Sequence, residues 1–321
     1  MKAVVCERYG SPDVLELREV DKPIPADDEV LVRVRATSVN PVDWHGVTGT
    51  PYIARLQTGL RGPKSAAVGV DFAGQVEAVG RDVTVLAPGD DVFGGRNGAF
   101  AEYVCVRNAV AVKPSNLTFE QAAAVPVAAI TALQGLRDKG ALQPGQKVLV
   151  NGASGGVGTF AVQIAKALGA EVTGVCSTGN VELVRSLGAD HDVDYTGEDF
   201  TRRGEQYDLL LDNAGSRSFS AYRRVLRPDG HLVVVGGPKN SKLLGPLAHM
   251  VTTVAASKFR SQKAVAFLAK LNKEDLRLLR ELLEAGTVRP VIDRTYELAE
   301  IADALRYLGE GHARGKIVVT V

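Results

Sequence analysis

The glycine-rich stretch Asn151-Gly152-Ala153-Ser154-Gly155-Gly156-Val157-Gly158 follows the short apolar run Lys147–Val150 and leads into a segment with helical spacing. There Val157, Phe160, Ala161, Ile164, Ala165 and Leu168 recur at three- and four-residue steps, which lines one face of a helix. Glycine at a strand-to-helix turn permits positive φ and lets a ligand approach the backbone. The unpaired N–H groups and positive dipole end of the helix favour a pyrophosphate there. Gly155 and Gly158 carry most of this signal, and Ala153, Ser154, Gly156 and Val157 complete the candidate phosphate cradle. A glycine triplet also occurs in ordinary turns, so its weight rests on the elements around it.

Those elements repeat. After the helix come Glu171–Cys176, a helix-like Val181–Leu187, a short His191–Tyr195, then Asp208–Asp212 and Leu232–Val235, each apolar run bounded by Gly, Asp or Asn. Near-continuous apolar strands separated by helices predict an α/β fold with a doubly wound parallel sheet covered on both faces. In such a sheet a ligand lies at the carboxyl ends of the strands. Ser177, Thr178, Tyr195, Asn213, Gly236 and Gly237 follow those ends and are candidate cofactor contacts.

About twenty residues past the glycines, an Asp or Glu would hold a ribose 2′-hydroxyl and repel a 2′-phosphate. Here the chain reads Cys176-Ser177-Thr178-Gly179-Asn180, with no carboxylate, two hydroxyls and Arg185 a turn or two away. The expectation is NADPH rather than NADH, although no cation sits in the turn itself.

With 321 residues the chain has room for about two domains of ~100–200 residues. A formal net charge of +1, from 38 basic and 37 acidic residues, provides no field for nucleic acid or an acidic membrane surface. Cys6, Cys105 and Cys176 are far apart and form no CxxC pair, which speaks against a disulfide framework or structural zinc and for a reducing, cytoplasmic setting. The opening MKAVVCERYG reads as a strand without the apolar core of a secretion signal, and the apolar stretch Leu243–Ala256 is shorter than the ~20 residues of a membrane span.

The first hundred residues differ in character. Glu29–Arg35 and Gly74–Val79 alternate apolar with polar or charged positions, and turns such as Ala87-Pro88-Gly89-Asp90 separate short strands, predicting an antiparallel, barrel-like lobe. From Leu117 the pattern turns helical, with Thr118 and Gln121 spaced as a capping box. Leu298–Leu308 reads as a helix and Lys316–Val321 as a strand.

Several short motifs occur together and in order: Ser38-Val39-Asn40-Pro41-Val42-Asp43, Gly69-Val70-Asp71-Phe72-Ala73-Gly74 with Val79-Gly80, Pro88-Gly89-Asp90-Asp91-Val92, and Pro144-Gly145-Gln146 leading into the glycine turn. With MKAVV at the start, they make the whole chain resemble the medium-chain dehydrogenase/reductases, specifically their zinc-free quinone and enone reductase branch. The resemblance implies a GroES-like barrel lobe over residues 1–120, a Rossmann lobe that binds NADP over 121–285, and a return segment over 286–321 completing the first lobe.

Zinc-bearing members of that family place a cysteine ligand where this chain has Asn40 and a histidine in a GHE motif where it has Gly69-Val70-Asp71, and the run of four cysteines for a second zinc is absent. The thiolate and imidazole that zinc prefers are missing, so no metal is expected; His45 is a lone histidine. Without a Lewis acid, alcohol oxidation loses its usual means of polarising oxygen. Hydride addition to a quinone, or to the β-carbon of an α,β-unsaturated carbonyl, needs less help, because the developing charge is delocalised. The resemblance places Asn40, Tyr52 and Thr131 facing the nicotinamide, with Asp43 and Trp44 beside Asn40. Asn40 has a plainer reading as a turn residue before Pro41, Tyr52 as a packing residue, and Thr131 as a hydroxyl bonded within its own helix.

The stretch Lys239–Arg260 reads as a solvated helix with one buried face, or as a cap or subunit contact. A homodimer is expected, paired through the last strand of the central sheet near Leu232–Val235. A zinc-free aldehyde or ketone reductase and a non-catalytic NADPH-binding protein stay open as alternatives.

Overall fold

A computed structural model describes residues 1–237, 245–257 and 261–321. The chain divides into two compact units, one of Met1–Ile130, Lys270–Gly286 and Pro290–Val321, the other of Thr131–Ala269 and Thr287–Arg289. Seven strands come before residue 113: β1 (Lys2–Val5), β2 (Glu16–Glu19), β3 (Val30–Val39), β4 (Asp71–Val79), β5 (Asp91–Gly95), β6 (Tyr103–Val106) and β7 (Val110–Val112). Then follow β8 (Lys147–Asn151), β9 (Glu171–Cys176), β10 (His191–Asp194), β11 (Tyr207–Asp212), β12 (Leu226–Val234) and β13 (Lys263–Ala266), with β14 (Ile292–Glu297) and β15 (Lys316–Thr320) at the end.

In the first unit, β3 organises a sheet of order β14-β15-β3-β4-β5-β7. Its ten residues serve two neighbours in succession, β6 beside Val30–Arg33 and β15 beside Ala36–Val39, while β4 runs along the other side with two register shifts. Over Val32–Arg35 buried valines alternate with exposed arginines, as on a one-sided strand, whereas Val30–Leu31 and Ala36–Val39 are buried throughout. The antiparallel expectation fails at one place. β14 and β15 pair in parallel, because helix Ile301–Glu310 supplies the crossover that parallel neighbours need. That helix buries Ile301, Ala304 and Leu305 against Val4, Val39, Phe100 and Ile317.

The sequence division at 120 and 285 also shifts. Residues 121–130 and 270–286 cluster with the first unit, where helix Lys273–Glu284 buries Leu276, Leu279 and Leu283, packs on β7 and accepts Asn116 Nδ2 at Leu283 O, 2.9 Å away. Thr118 and Gln121 form the expected capping box of helix Phe119–Ala123.

The second unit contains, among the described residues, a six-stranded sheet of order β10-β9-β8-β11-β12-β13 in which all pairs are parallel. This is the order of a doubly wound sheet with its topological switch between β8 and β11. Helix Gly156–Ala167 follows β8 and buries Phe160, Ala161, Val162, Ile164 and Ala165. Leu149, Val175, Leu210, Leu232 and Tyr222 form the core on β8, β9, β11, β12 and helix Phe219–Tyr222. The expected edge near Leu232–Val235 is interior, because β12 has β11 on one side and β13 on the other. Helix Gly245–Ser257 lies within the Lys239–Arg260 stretch, whose residues 239–244 and 258–260 fall outside the described residues.

Candidate functional site

The carboxyl ends of the parallel strands bring most of the expected cofactor residues to one edge of the second unit. Asn151, which closes β8, lies in register with Val175 on β9 and Asp212 on β11; Asp194 of β10 pairs with Cys176 of β9, and Asp212 with Val234 of β12. The segments 153–158, 177–178, 213 and 236–237, and Tyr195, therefore leave the sheet side by side. Ala153 is fully buried, whereas Ser154, Gly155, Gly156 and Val157 are partly exposed at the start of the helix. Tyr195 is half exposed.

The glycines of the turn have separate reasons. Gly152 has φ +79°. A Cβ on Gly158 would lie 2.0 Å from Gly152 O, so helix and turn approach each other only because that side chain is missing. Gly236 is equally confined, 2.0 Å from Asn213 O. Gly155 differs: its φ is −82° and the nearest atom to a Cβ would be Gly152 O at 3.5 Å, so no contact within the protein demands glycine there. An uncrowded N-cap on a 12-residue helix is where a phosphate group would sit. Two buried acceptor atoms at the same edge, Asn180 Oδ1 and Asn213 Oδ1, have no hydrogen-bond partner in the protein. Such atoms are costly to bury unless a donor arrives, and ribose hydroxyls are donors. The residues present fit a dinucleotide.

Beneath this edge Asn151 Nδ2 donates to Asp212 Oδ1 at 2.8 Å, and Gly215 N donates to the same oxygen at 2.9 Å. Asn213 Nδ2 donates to Asn151 O at 3.1 Å, which fixes its side chain at the end of β11. Burial pushes the neighbouring Tyr222 phenol up, and the Asp212 charge adds to it.

The turn after β9 departs from the expectation. Its own sequence has no carboxylate, but β10 supplies one: Thr178 Oγ1 donates to Asp194 Oδ2 at 2.5 Å, and Thr196 N and Oγ1 donate to Asp194 Oδ1 at 2.9 and 2.7 Å. The Thr178 hydrogen bond, then those of Thr196, hold the Asp194 carboxyl below its usual range. Arg185, the cation expected near the turn, donates instead to Asp192 Oδ1 at 2.7 Å and Glu182 Oε1 at 3.0 Å. Sequence reading missed Asp194 because the second strand end, Cys176, was read alone, eighteen residues before the carboxylate that the sheet register places beside it.

In the first unit Asn40, expected to face the nicotinamide, is 1% exposed. Its Nδ2 donates to Asp71 Oδ2 at 2.9 Å and its Oδ1 accepts from Lys316 Nζ, so both ends of the amide are committed to the interior. Ser38 Oγ also donates to Asp71 Oδ2, at 2.8 Å, and Val127 N donates to Asp71 Oδ1 at 2.9 Å. Asp43 accepts the Asn40 N–H at 2.8 Å, completing a buried group of two carboxylates and one ammonium. Burial, and then the Asp71 charge, push the Asp43 carboxyl up to about 7. Trp44, beside Asn40 in sequence, packs against helix Ile301–Glu310, where a Cβ on Gly309 would lie 2.6 Å from its ring.

Tyr52 opens a short 3₁₀ turn, Tyr52–Ala54, and is 43% exposed. The Arg55 guanidinium lies 4.5 Å from the Tyr52 ring centroid and 4.5 Å from that of Tyr9, while its Nε donates to Gly49 O at 2.8 Å. The loop is thus tied by one arginine and presents Tyr52 outward. Thr131, in helix Pro126–Leu133, is 9% exposed and belongs to the second unit. Among the described residues no group of three or more His, Cys, Asp or Glu side chains converges as metal ligands, and no helix is long and apolar enough to cross a membrane.

Comparison with known proteins gives a consistent placement. Residues 26–116 match the alcohol dehydrogenase GroES-like domain and residues 187–319 the zinc-binding dehydrogenase family. The chain is 35% identical to 2-methylene-furan-3-one reductase of Solanum lycopersicum over 99% of its own length and 79% of the relative's. It is 33% identical to an NADPH-dependent alkenal/one oxidoreductase, chloroplastic, of Arabidopsis thaliana, with the same two shares covered. The solved quinone oxidoreductase of Coxiella burnetii superposes with a TM-score of 0.88 at 31% identity, covering 100% of this chain and 99% of that one. Sheet order, glycine turn and these likenesses agree, and the chain belongs to the medium-chain dehydrogenase/reductase family, alongside its quinone and enone oxidoreductases.

Proposed function

We propose that the chain is a zinc-independent, NADPH-dependent reductase of quinones or of the C=C bond of α,β-unsaturated carbonyls. The observation that carries this reading is the uncrowded helix N-cap at Gly155, set among strand ends where Asn180 and Asn213 keep buried acceptors without partners. The names of the tomato, Arabidopsis and Coxiella relatives support the reaction class, and the Arabidopsis name supports the donor. Asn40 in place of a thiolate, and Val70-Asp71 where zinc-bearing members carry histidine, support independence from zinc.

When bound, a reduced nicotinamide supplies hydride to an electron-poor carbon or quinone. The backbone N–H groups of Gly156 and Val157 at the helix start would hold the pyrophosphate, with Ala153, Ser154, Gly155 and Gly158 shaping the turn; Gly155 N itself donates to Gly152 O at 3.2 Å. Ser177, Thr178 and Tyr195 would take the adenosine end, and Asn213, Gly236 and Gly237 the nicotinamide half. Tyr52 and Thr131 are proposed to present hydroxyls to the reacting groups. Asn40 is proposed to position Tyr52 from within the first unit, by holding the start of helix Pro41–Thr48, which precedes the Tyr52 loop, through Asp43 and Asp71. Rate then comes from positioning and preorganised donors.

A cytoplasmic homodimer belongs to the same proposal. Among the described residues β10 and β13 are the edges of the parallel sheet, the dimer is proposed to pair through β13, and light scattering showing a single 34 kDa species would remove it. The reaction is tested by following NADPH oxidation with a panel of enones, quinones, aldehydes and ketones. Turnover of enones or quinones is expected, unaffected by chelator. Turnover confined to aldehydes and ketones, or none at all, would overturn the reading.

A further inference from the structure

The sheet register places a carboxylate where the turn after β9 has none of its own, and this bears on which nicotinamide nucleotide the chain accepts. The inference rests on the proposed dinucleotide site. Asp194 stands opposite Cys176, the last residue of β9, and its two oxygens accept from Thr178 Oγ1, Thr196 N and Thr196 Oγ1. With its hydrogen given to Asp194, the Thr178 hydroxyl presents an oxygen, not a donor, to anything bound over the turn. Asn180 follows two residues later; its Nδ2 donates to Ser177 Oγ at 3.0 Å and its buried Oδ1 has no partner. Among the described residues, two cations near this turn in sequence have carboxylate partners, Arg185 in Asp192 and Glu182, and Arg203 in Glu198.

We infer that Asp194, through Thr178 and beside the unpartnered oxygen of Asn180, lowers selectivity for a 2′-phosphate, so that the chain binds NADH as well as NADPH. A ribose 2′-hydroxyl carries a donor that an acceptor-lined turn can receive. A 2′-phosphate carries only acceptors and a charge near −2, and it meets a carboxylate. The residue that relaxes cofactor choice is therefore on the third strand of the dinucleotide unit.

The test is direct binding to the full chain, with NADH and NADPH titrated separately and followed by nicotinamide fluorescence. In the native chain the two dissociation constants are expected to lie within about tenfold of each other. Asp194→Asn keeps an oxygen for Thr178 and removes the charge; it is expected to tighten NADPH on the order of tenfold, as for one charge at several ångströms in a wet site, and to leave NADH within about twofold. A second measurement needs no variant. Raising salt screens the repulsion, so NADPH binding is expected to improve relative to NADH. An unchanged ratio in Asp194→Asn, or salt weakening NADPH relative to NADH, would overturn the inference while leaving the dinucleotide site intact. Failure of both nucleotides to bind would instead overturn the proposed function and the inference with it.

Discussion

The Asn40 side-chain amide donates to Asp71 Oδ2 at 2.9 Å, deep in the first unit, and accepts from Lys316 Nζ at its other end. Lys316 is 3% exposed and also lies 3.4 Å from Asp71 Oδ2. Breaking a buried ion pair by removing one partner leaves the other charge uncompensated and costs about 3–5 kcal/mol. Lys316→Met is accordingly expected to lower the unfolding free energy by about that amount in urea denaturation. A loss under about 1 kcal/mol would mean water reaches the group.

Asp43 gives the same group a pH dependence. Its carboxyl, pushed from 3.8 up to about 7 by burial and by Asp71, binds its proton more tightly in the folded chain than in the unfolded one. The stability this contributes is full below about pH 4 and is lost as pH rises through about 7. Asp43→Asn keeps an acceptor for the Asn40 N–H and cannot ionise. Denaturation midpoints at pH 5 and pH 8 should therefore show the native chain falling relative to the variant, and a gap independent of pH would refute the shift.

Gly155 and Gly158 separate ligand space from packing space. Gly158→Ala forces a Cβ to 2.0 Å from Gly152 O, and a cost of about 1–3 kcal/mol in stability is expected, as for overpacking. Gly155→Ala meets nothing closer than 3.5 Å and should change stability by less than about 1 kcal/mol, yet weaken dinucleotide binding at least about tenfold. Calorimetry paired with nucleotide titration checks both, and unchanged binding in Gly155→Ala would place the pyrophosphate elsewhere.

Tyr52 is held by its ring against Arg55, so Tyr52→Phe keeps the loop and removes only the hydroxyl. If that hydroxyl delivers a proton, kcat should fall by about 10²-fold with little change in KM, the lower end of what general acids contribute. Unaltered turnover across pH would limit Tyr52 to packing and leave proton delivery to solvent.

Local pattern was enough for the elements of the second unit. The three- and four-residue spacing after Gly156, the apolar runs of β8, β9 and β11, and the glycine turn each depend on neighbours within a few residues, and the observed helix and strands follow them closely. The candidate phosphate cradle was legible for that reason. Features set by distant pairing were not. Nothing near Leu232 announces that Lys263–Ala266 will cover its strand, and nothing near Asn116 announces that helix Lys273–Glu284 will return to the first unit.

The amino-acid sequence by itself determined the two kinds of sheet, the strand-to-helix turn and the absence of a thiolate at Asn40, because periodicity and residue type act locally. Tertiary structure decided which charges meet. Asp194 reaches Thr178 across sixteen residues and Lys316 reaches Asn40 across 276, since sheet register and burial, not chain proximity, set the distances on which electrostatic interactions depend.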